Sequence, residues 1–360
     1  MKNVALLVAA AFFIVVFSIL YFLIPNKETF FSILITSSII YFILSFILIE
    51  QLVEIRRKRE ERETAVKEEE HATEVEEDAV PKVSKTLRRF FDAAKQGNIR
   101  AIESFLEKGI DIESHDEGRG YTALMHAANG GKMEMVKLLL DRGADVNGKG
   151  CDLGRTALML AAWEGHTEIA EFLISKGARV NEQRKDKVHA LYVAAQNDYP
   201  DTVSMLLNYG AEIDLPCLKD KATPLMIACQ RGNTKTVDLL LKKGASVNAQ
   251  TVLEGLGYAP LVLAAEFGFI DVVRMLVEAG ADIDVRNGEM GHTALMVAAQ
   301  NEHVETVRYL IEKGADATIR TKDGASTLSF GQTGSGTGEE KEITSMLKQA
   351  SAKRRKFKIT

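Results

Sequence analysis

Thr122–Ala128 reads T-A-L-M-H-A-A. The phrase returns as T-A-L-M-L-A-A at Thr156, H-A-L-Y-V-A-A at His189, T-P-L-M-I-A-C at Thr223, A-P-L-V-L-A-A at Ala259 and T-A-L-M-V-A-A at Thr293. A second phrase, in outline L-L-x-x-G-A-D-V-N, carries its glycine at Gly109, Gly143, Gly177, Gly210, Gly244, Gly280 and Gly314. Successive glycines are 34, 34, 33, 34, 36 and 34 residues apart. A period in that range marks a solenoid, whose stacked units bury their apolar faces only against their neighbours.

One period explains the unit's shape. A-L-M-H-A-A predicts a short helix in which Ala127 and Ala128 allow the neighbouring unit to come close. Met135–Leu140, M-V-K-L-L-L, has helical periodicity and good helix formers, so it predicts a second, antiparallel helix. Gly143 follows the last apolar residue, where a left-handed helix stop is needed. A-D-V-N then runs extended into a polar turn.

This pattern resembles the ankyrin repeat over roughly residues 86–350. The resemblance implies an all-α solenoid of about seven to eight helix-turn-helix units that binds protein and is not an enzyme. Some positions depart from the family. Met125, Met159, Met226 and Met296 stand where T-P-L-H has histidine, so the bond from that histidine to the threonine is expected to be missing. The aspartate-to-glycine turn survives at Asp116–Gly120 and Asp152–Gly154, whereas Asp186 and Asp220 lack the glycine. Two added residues near Leu253–Tyr258 should bulge in a loop. At the array's ends, Arg88 and Arg89 turn the first unit towards water, and the last unit's second helix is expected only at about Glu339–Ala350.

The N-terminal region differs in kind. Val4–Ile24 and Phe30–Ile49 contain no charged residue, and each is long enough at 1.5 Å per residue to cross a hydrocarbon core of roughly 30 Å. With only P-N-K-E-T between them, they predict a transmembrane hairpin in the bilayer (4–24 and 30–49), with self-association of the hairpin as a further expectation. A signal peptide is the rival reading of the first span, but its apolar run exceeds the ~7–15 residues of a signal core. Arg56, Arg57, Lys58, Arg59 and Arg62 follow the second span, which predicts a multi-pass cell-membrane protein with both termini and the repeats in the cytoplasm. An acidic run from Glu68 to Asp78 then suggests a spacer, since Leu52, Ile55 and Val66 do not sustain a coiled-coil heptad. The expected organisation is a hairpin (1–50), a charged linker (51–85), repeats (86–350) and a basic tail (351–360).

Catalytic and cofactor chemistry find no support. The net charge of −5 and pI near 5.9 do not favour nucleic-acid binding. Cys151, Cys217 and Cys229 lack metal-ligand spacing, and the seven histidines are scattered, so neither metal nor cofactor is expected. Gly331–Gly338, G-Q-T-G-S-G-T-G, lacks the lysine of a phosphate loop and reads as a flexible insertion. Lys353–Lys358, K-R-R-K-F-K, reads as a solvated tail.

Function is therefore expected on a surface. The resemblance implies a concave face built from loop tips and first helices, with the residues after each A-A pair exposed. These are Asn129, Trp163 and Glu164, Gln196 and Asn197, Gln230 and Arg231, Glu266 and Phe267, and Gln300 and Asn301. Loop tips add Lys149, Gln183, Gln250, Arg286 and Arg320. Trp163, the only tryptophan, is the expected anchor for an unidentified protein partner. The leading expectation is a membrane-anchored scaffold; the alternatives are a regulatory subunit of a transport or channel complex and an effector inserted in another cell's membrane.

Overall fold

The computed structural model describes residues 82–357 except 152, 218–220, 252–256 and 289. Among the described residues, sixteen helices pair into eight units. The inner helices are α1 (Lys82–Gln96), α3 (Ala123–Asn129), α5 (Ala157–Trp163), α7 (Ala190–Gln196), α9 (Pro224–Arg231), α11 (Pro260–Glu266), α13 (Ala294–Gln300) and α15 (Thr327–Phe330). The outer helices are α2 (Ile99–Glu107), α4 (Met133–Asp141), α6 (Thr167–Ser175), α8 (Pro200–Asn208), α10 (Thr234–Lys242), α12 (Ile270–Glu278), α14 (Val304–Glu312) and α16 (Gly338–Phe357). Inner helices stack on inner helices and outer on outer, as a solenoid demands.

The repeated residues form the core. Ala127 and Ala128, with their equivalents at Ala161–Ala162, Ala194–Ala195, Ala264–Ala265 and Ala298–Ala299, are fully enclosed between inner helices. Leu139, Leu173, Leu206, Leu240, Leu276 and Leu310 make a buried column along the outer layer. Thr122, Thr156, Thr223 and Thr293 sit at the N-caps of their inner helices. Each hydroxyl accepts the methionine N–H three residues on, at 3.3–3.4 Å. In one unit methionine does more, because Met226 Sδ accepts the Thr223 N–H at 3.5 Å. His189 and Ala259 replace the threonine and give no side-chain cap.

Neighbouring units are joined by two recurring devices. The first lies in the turn between inner and outer helices. Gly165 has φ +71°, and a Cβ there would sit 2.5 Å from the Tyr199 ring of the next unit. Gly232 bears the same relation to Phe269. Where the position is not glycine, a carboxylate bonds the next unit: Asp198, at φ 58°, accepts from Thr236 Oγ1 at 2.8 Å.

The second device is the last letter of the A-D-V-N phrase. Asn147 Oδ1 accepts the Arg179 N–H at 2.9 Å, while its amide donates to the Gly177 carbonyl at 3.0 Å. Asn181 repeats both bonds with Glu212 and Gly210, and Asn248 with Asp282 and Gly280. Glu113, Asp214 and Asp284 make only the accepting bond, to the N–H groups of Asp145, Ser246 and Asp316.

The loops end in hairpin fingers. Asp116 accepts the N–H groups of Arg119 and Gly120, forming the expected turn. Beyond the glycine-free turns, Lys187 and Lys221 adopt left-handed φ values of 67° and 57°, the role glycine usually fills. Adjacent fingers are linked through the backbone, as in Cys151 N–H to Gly120 O at 3.1 Å and Lys185 N–H to Leu153 O at 2.8 Å.

The C-terminal part of the array departs from expectation. α16 continues to Phe357, through much of the stretch read as a solvated tail. Arg354 explains why: its Nη1 donates to the Gly314 carbonyl at 2.8 Å, the position asparagine serves in earlier units, and its Nε lies 3.2 Å from Asp316. The glycine-rich segment is also held rather than loose. Thr333, Ser335 and Thr337 donate to Glu302 at 2.6, 2.6 and 2.8 Å, and Glu340 accepts the N–H groups of Gly334 and Gly336. The N–H groups of Gly334 and Gly336 are thus occupied by the chain's own carboxylate. At the other end, α1 begins at Lys82, ahead of the expected start of the repeats.

Among the described residues no helix is long and apolar enough to cross a membrane. The two apolar spans, 4–24 and 30–49, the signal-peptide alternative, the acidic run and most of the bulge near Leu253 lie outside the described residues.

Candidate functional site

The inner helices end in a row of side chains on one face. Trp163 is 42% exposed at the end of α5, and Phe267 is 47% exposed just after α11. Both remain uncovered because each follows an A-A pair whose residues fill the layer beneath. Phe267 stacks on Phe269, ring centres 6.1 Å apart. The two aromatics stand three units apart, roughly 30 Å at about 10 Å per packed helix. They are separate contact points and do not form one patch.

The other expected contact residues divide by what already engages them. Glu164, Gln230, Arg231, Gln300, Gln250 and Arg286 are exposed. Asn129, Gln196 and Glu266 are half-buried. Asn197 and Asn301 serve the joints between units: their amides donate to the Trp163 carbonyl at 2.9 Å and the Glu266 carbonyl at 2.8 Å. His166 donates likewise to the Asn129 carbonyl at 3.2 Å, and His303 to that of Glu266 at 3.0 Å. At the tips, Lys149 pairs with Glu182, holding that carboxyl below its usual range. Gln183 donates to the Pro216 carbonyl at 3.1 Å, and Arg320 to that of Gly324 at 2.7 Å.

A cleft of about 500 Å³ opens beside Trp163. Met159, Leu160, Val188 and Val193 give it an apolar floor, and Trp163 and Tyr121 give it aromatic walls. Asn129 and Glu164 complete the inner-helix side. Its rim carries Arg119, Arg155 and Arg184, one from the finger or finger base of each of three successive units. The guanidinium carbons of Arg119 and Arg155 each lie 5.9 Å from the centre of the Tyr121 ring. Arg184 is held by Asp186 through two bonds of 2.6 and 2.7 Å. Burial opposes ionisation of Asp186, yet these bonds keep its carboxyl below the usual range.

These arginines and Tyr121 were absent from the residues expected to bind. They come from three separate units, and only the stacking register brings them to one cleft. The available signal was a basic residue shortly before the inner-helix phrase, as in R-G-Y-T-A-L at Arg119 and R-T-A-L at Arg155. His126, within the second unit, pairs with Asp116 at 2.6 Å and packs near Phe91 and Tyr121. Burial depresses its pKa, against the pull of Asp116.

Chemistry elsewhere is quiet. Cys151 is exposed, while Cys217 and Cys229 are buried; burial pushes the Cys229 thiol far up. Among the described residues no three His, Cys, Asp or Glu side chains converge as metal ligands.

Comparison with known proteins agrees with this architecture. A family profile described as ankyrin repeats (3 copies) matches residues 90–184, 177–251 and 250–321. The crystal structure of the human ASB11 ankyrin repeat domain is similar, with a TM-score of 0.56 at 26% identity, over 63% of this chain and 98% of that one. No curated protein matches the chain.

Proposed function

The chain belongs to the ankyrin-repeat family, and we propose that it is a non-enzymatic scaffold that holds a partner protein at a membrane. The observation that carries the binding half is Trp163, a large aromatic left 42% exposed at the mouth of an apolar-floored cleft. Aromatic side chains of this kind anchor protein interfaces, because they bring much apolar area with few rotatable bonds. Glu164, Gln230, Arg231, Phe267 and Gln300 extend the same row along the array, so the reading favours a partner that lies across several units. The human ASB11 ankyrin domain shares this stacking, which supports the architecture but names no partner.

The membrane half is supported by sequence alone, through the charge-free spans 4–24 and 30–49 and the basic cluster from Arg56 to Arg62. On this reading the repeats face the cytoplasm.

Two measurements test the proposal. Cross-linked pull-down from the native membrane should recover a partner with the full-length chain, and Trp163→Ala together with Phe267→Ala should abolish capture with the circular dichroism spectrum unchanged. Undiminished capture would remove this face from consideration. For topology, a membrane-impermeant maleimide should reach Cys151, the exposed thiol, only after the cells are permeabilised. Labelling of intact cells would overturn the orientation.

A further inference from the structure

Resting on the membrane half of the reading above, we propose that the basic end of α16, Lys353–Lys358, is a second membrane contact that adsorbs to anionic lipid headgroups. The helix itself supplies the first argument. Ile343 and Leu347 are buried, and Met346, Ala350, Ser351 and Arg354 are half-buried, a spacing that turns one face of α16 to the array. Ser351 Oγ donates to the Ala317 carbonyl at 3.2 Å, and Arg354 holds the Gly314 carbonyl and Asp316. The docking face thus reaches to within one turn of Phe357, where the helix ends. The basic end is therefore carried on a helix held to the array.

Charge is the second argument. From Lys348 to Lys358 the chain has cations at Lys348, Lys353, Arg354, Arg355, Lys356 and Lys358, and no acid. Carboxylates near the start of α16 are engaged there: Glu340 accepts the Gly334 and Gly336 N–H groups, and Glu342 pairs with Arg308 at 2.6 Å. Of the cations, Arg354 is balanced by Asp316. Lys348 and Lys353 are exposed, and among the described residues no carboxylate pairs with either. The helix dipole favours cations in a last turn, but Lys353 and Lys356 stand three residues apart, where like charges on a helix repel. An anionic surface relieves that repulsion, and a cluster of Lys and Arg on a helix is a pattern that recognises acidic phospholipids. In sequence, Phe357 adds an aromatic ring of the kind that enters the headgroup region. A bilayer is favoured over other polyanions because the reading above already holds the chain at one, on the side whose leaflet is anionic.

The test uses the full-length chain in phosphatidylcholine nanodiscs, whose neutral lipid leaves the basic end unoccupied. The discs are mixed with sedimentable vesicles of phosphatidylcholine alone or of equal parts phosphatidylcholine and phosphatidylserine. Vesicles with phosphatidylserine should capture the discs at least about tenfold better, and high salt should erase the difference. The variant Lys353→Gln, Arg355→Gln, Lys356→Gln, Lys358→Gln should lose the preference. The charge-preserving variant Lys353→Arg, Arg355→Lys, Lys356→Arg, Lys358→Arg should keep it. Arg354 stays in both, so the anchorage of α16 is untouched, and circular dichroism checks the fold. The cluster from Arg56 to Arg62 is common to all three chains, so its own attraction to lipid cancels in the comparison. Equal capture by the two vesicle types, or a preference that survives the glutamine variant, would overturn the assignment. A single-stranded oligonucleotide that displaces the vesicles at lower phosphate concentration, through these same four cations, would overturn lipid as the occupant. Release of the full-length chain from its native membrane by alkaline carbonate would instead sink the membrane reading, and capture by the basic end would still be decided by the glutamine variant.

Discussion

The turn glycines allow a backbone effect to be separated from a packing effect. Gly143 and Gly165 both lie at positive φ, 90° and 71°. A Cβ on Gly143 would meet nothing within 4 Å, whereas one on Gly165 would meet Tyr199 ring atoms at 2.5, 2.6 and 2.8 Å. Alanine at either site bears the left-handed cost, about 1–2 kcal/mol. At Gly165 the ring of the next unit must also move, and overpacking of that kind adds about 1–3 kcal/mol. Gly165→Ala should therefore destabilise by roughly 2–5 kcal/mol and Gly143→Ala by only the first term. Urea unfolding followed by the emission of nearby Trp163 reads the difference as a midpoint. Circular dichroism of the whole array guards against a purely local transition, since repeat arrays need not unfold in one step. Tyr199→Ala combined with Gly165→Ala should cost less than the sum of the two alone, because the second atom of the clash has gone. Equal midpoints for the two glycine variants, or strict additivity with Tyr199→Ala, would refute the reasoning.

Other expectations follow from the same joints and core. Burial lowers the His189 pKa to about 4, with only its bond to the Leu215 carbonyl opposing. The folded state thus binds a proton less readily than the unfolded state. The stability His189 contributes is complete above the unfolded pKa of about 6.5 and is lost as pH falls towards the folded value, about 2 kcal/mol of it by pH 5. His189→Thr, which restores the threonine of its sister units, should remove that part of the acid sensitivity; an unchanged slope of stability against pH would disprove the assignment. Asn181→Ala deletes an accepting and a donating bond between units, and should cost about 1–2 kcal/mol in thermal or urea unfolding; Asp214→Ala, which removes only acceptor bonds, should cost less. Leu173→Ala empties part of the outer-layer column, where the side chain is fully enclosed, and should cost about 2–5 kcal/mol by the same assay. A thiol reagent should modify one cysteine rapidly in the native protein, Cys151, and reach Cys217 and Cys229 only on unfolding; three equally fast thiols would contradict the packing.

The helices were legible in the sequence because their causes are local. Thr122 before an apolar run, alanine pairs at close approaches and Gly143 after the last leucine each act within a few residues. The asparagine ladder was visible as a repeated letter but not as a bond, since its partner lies 31 to 34 residues on and is a backbone N–H. The arginine cleft escaped for a related reason: Arg119, Arg155 and Arg184 become neighbours only through the stacking register. Asn197 and Asn301 read as contact residues because they occupy the exposed end of an inner helix. The carbonyl that their amides satisfy belongs to the preceding unit, which local sequence does not reveal. The basic stretch near Arg354 was read by its charge, as solvated; what holds it is the lone carbonyl at Gly314 that the final joint would otherwise leave without a side-chain donor.

The joint built by Asn147, Asn181 and Asn248 has a bearing on how such a chain can change length. Each of these residues closes the same pair of bonds with the unit that follows, and the groups it meets are a backbone carbonyl and an N–H that every residue but proline supplies. A segment copied or excised between two of them presents matching ends. Arrays of this kind can therefore grow or shrink by whole units without inventing a new seam, while the side chains along the face are left free to diverge.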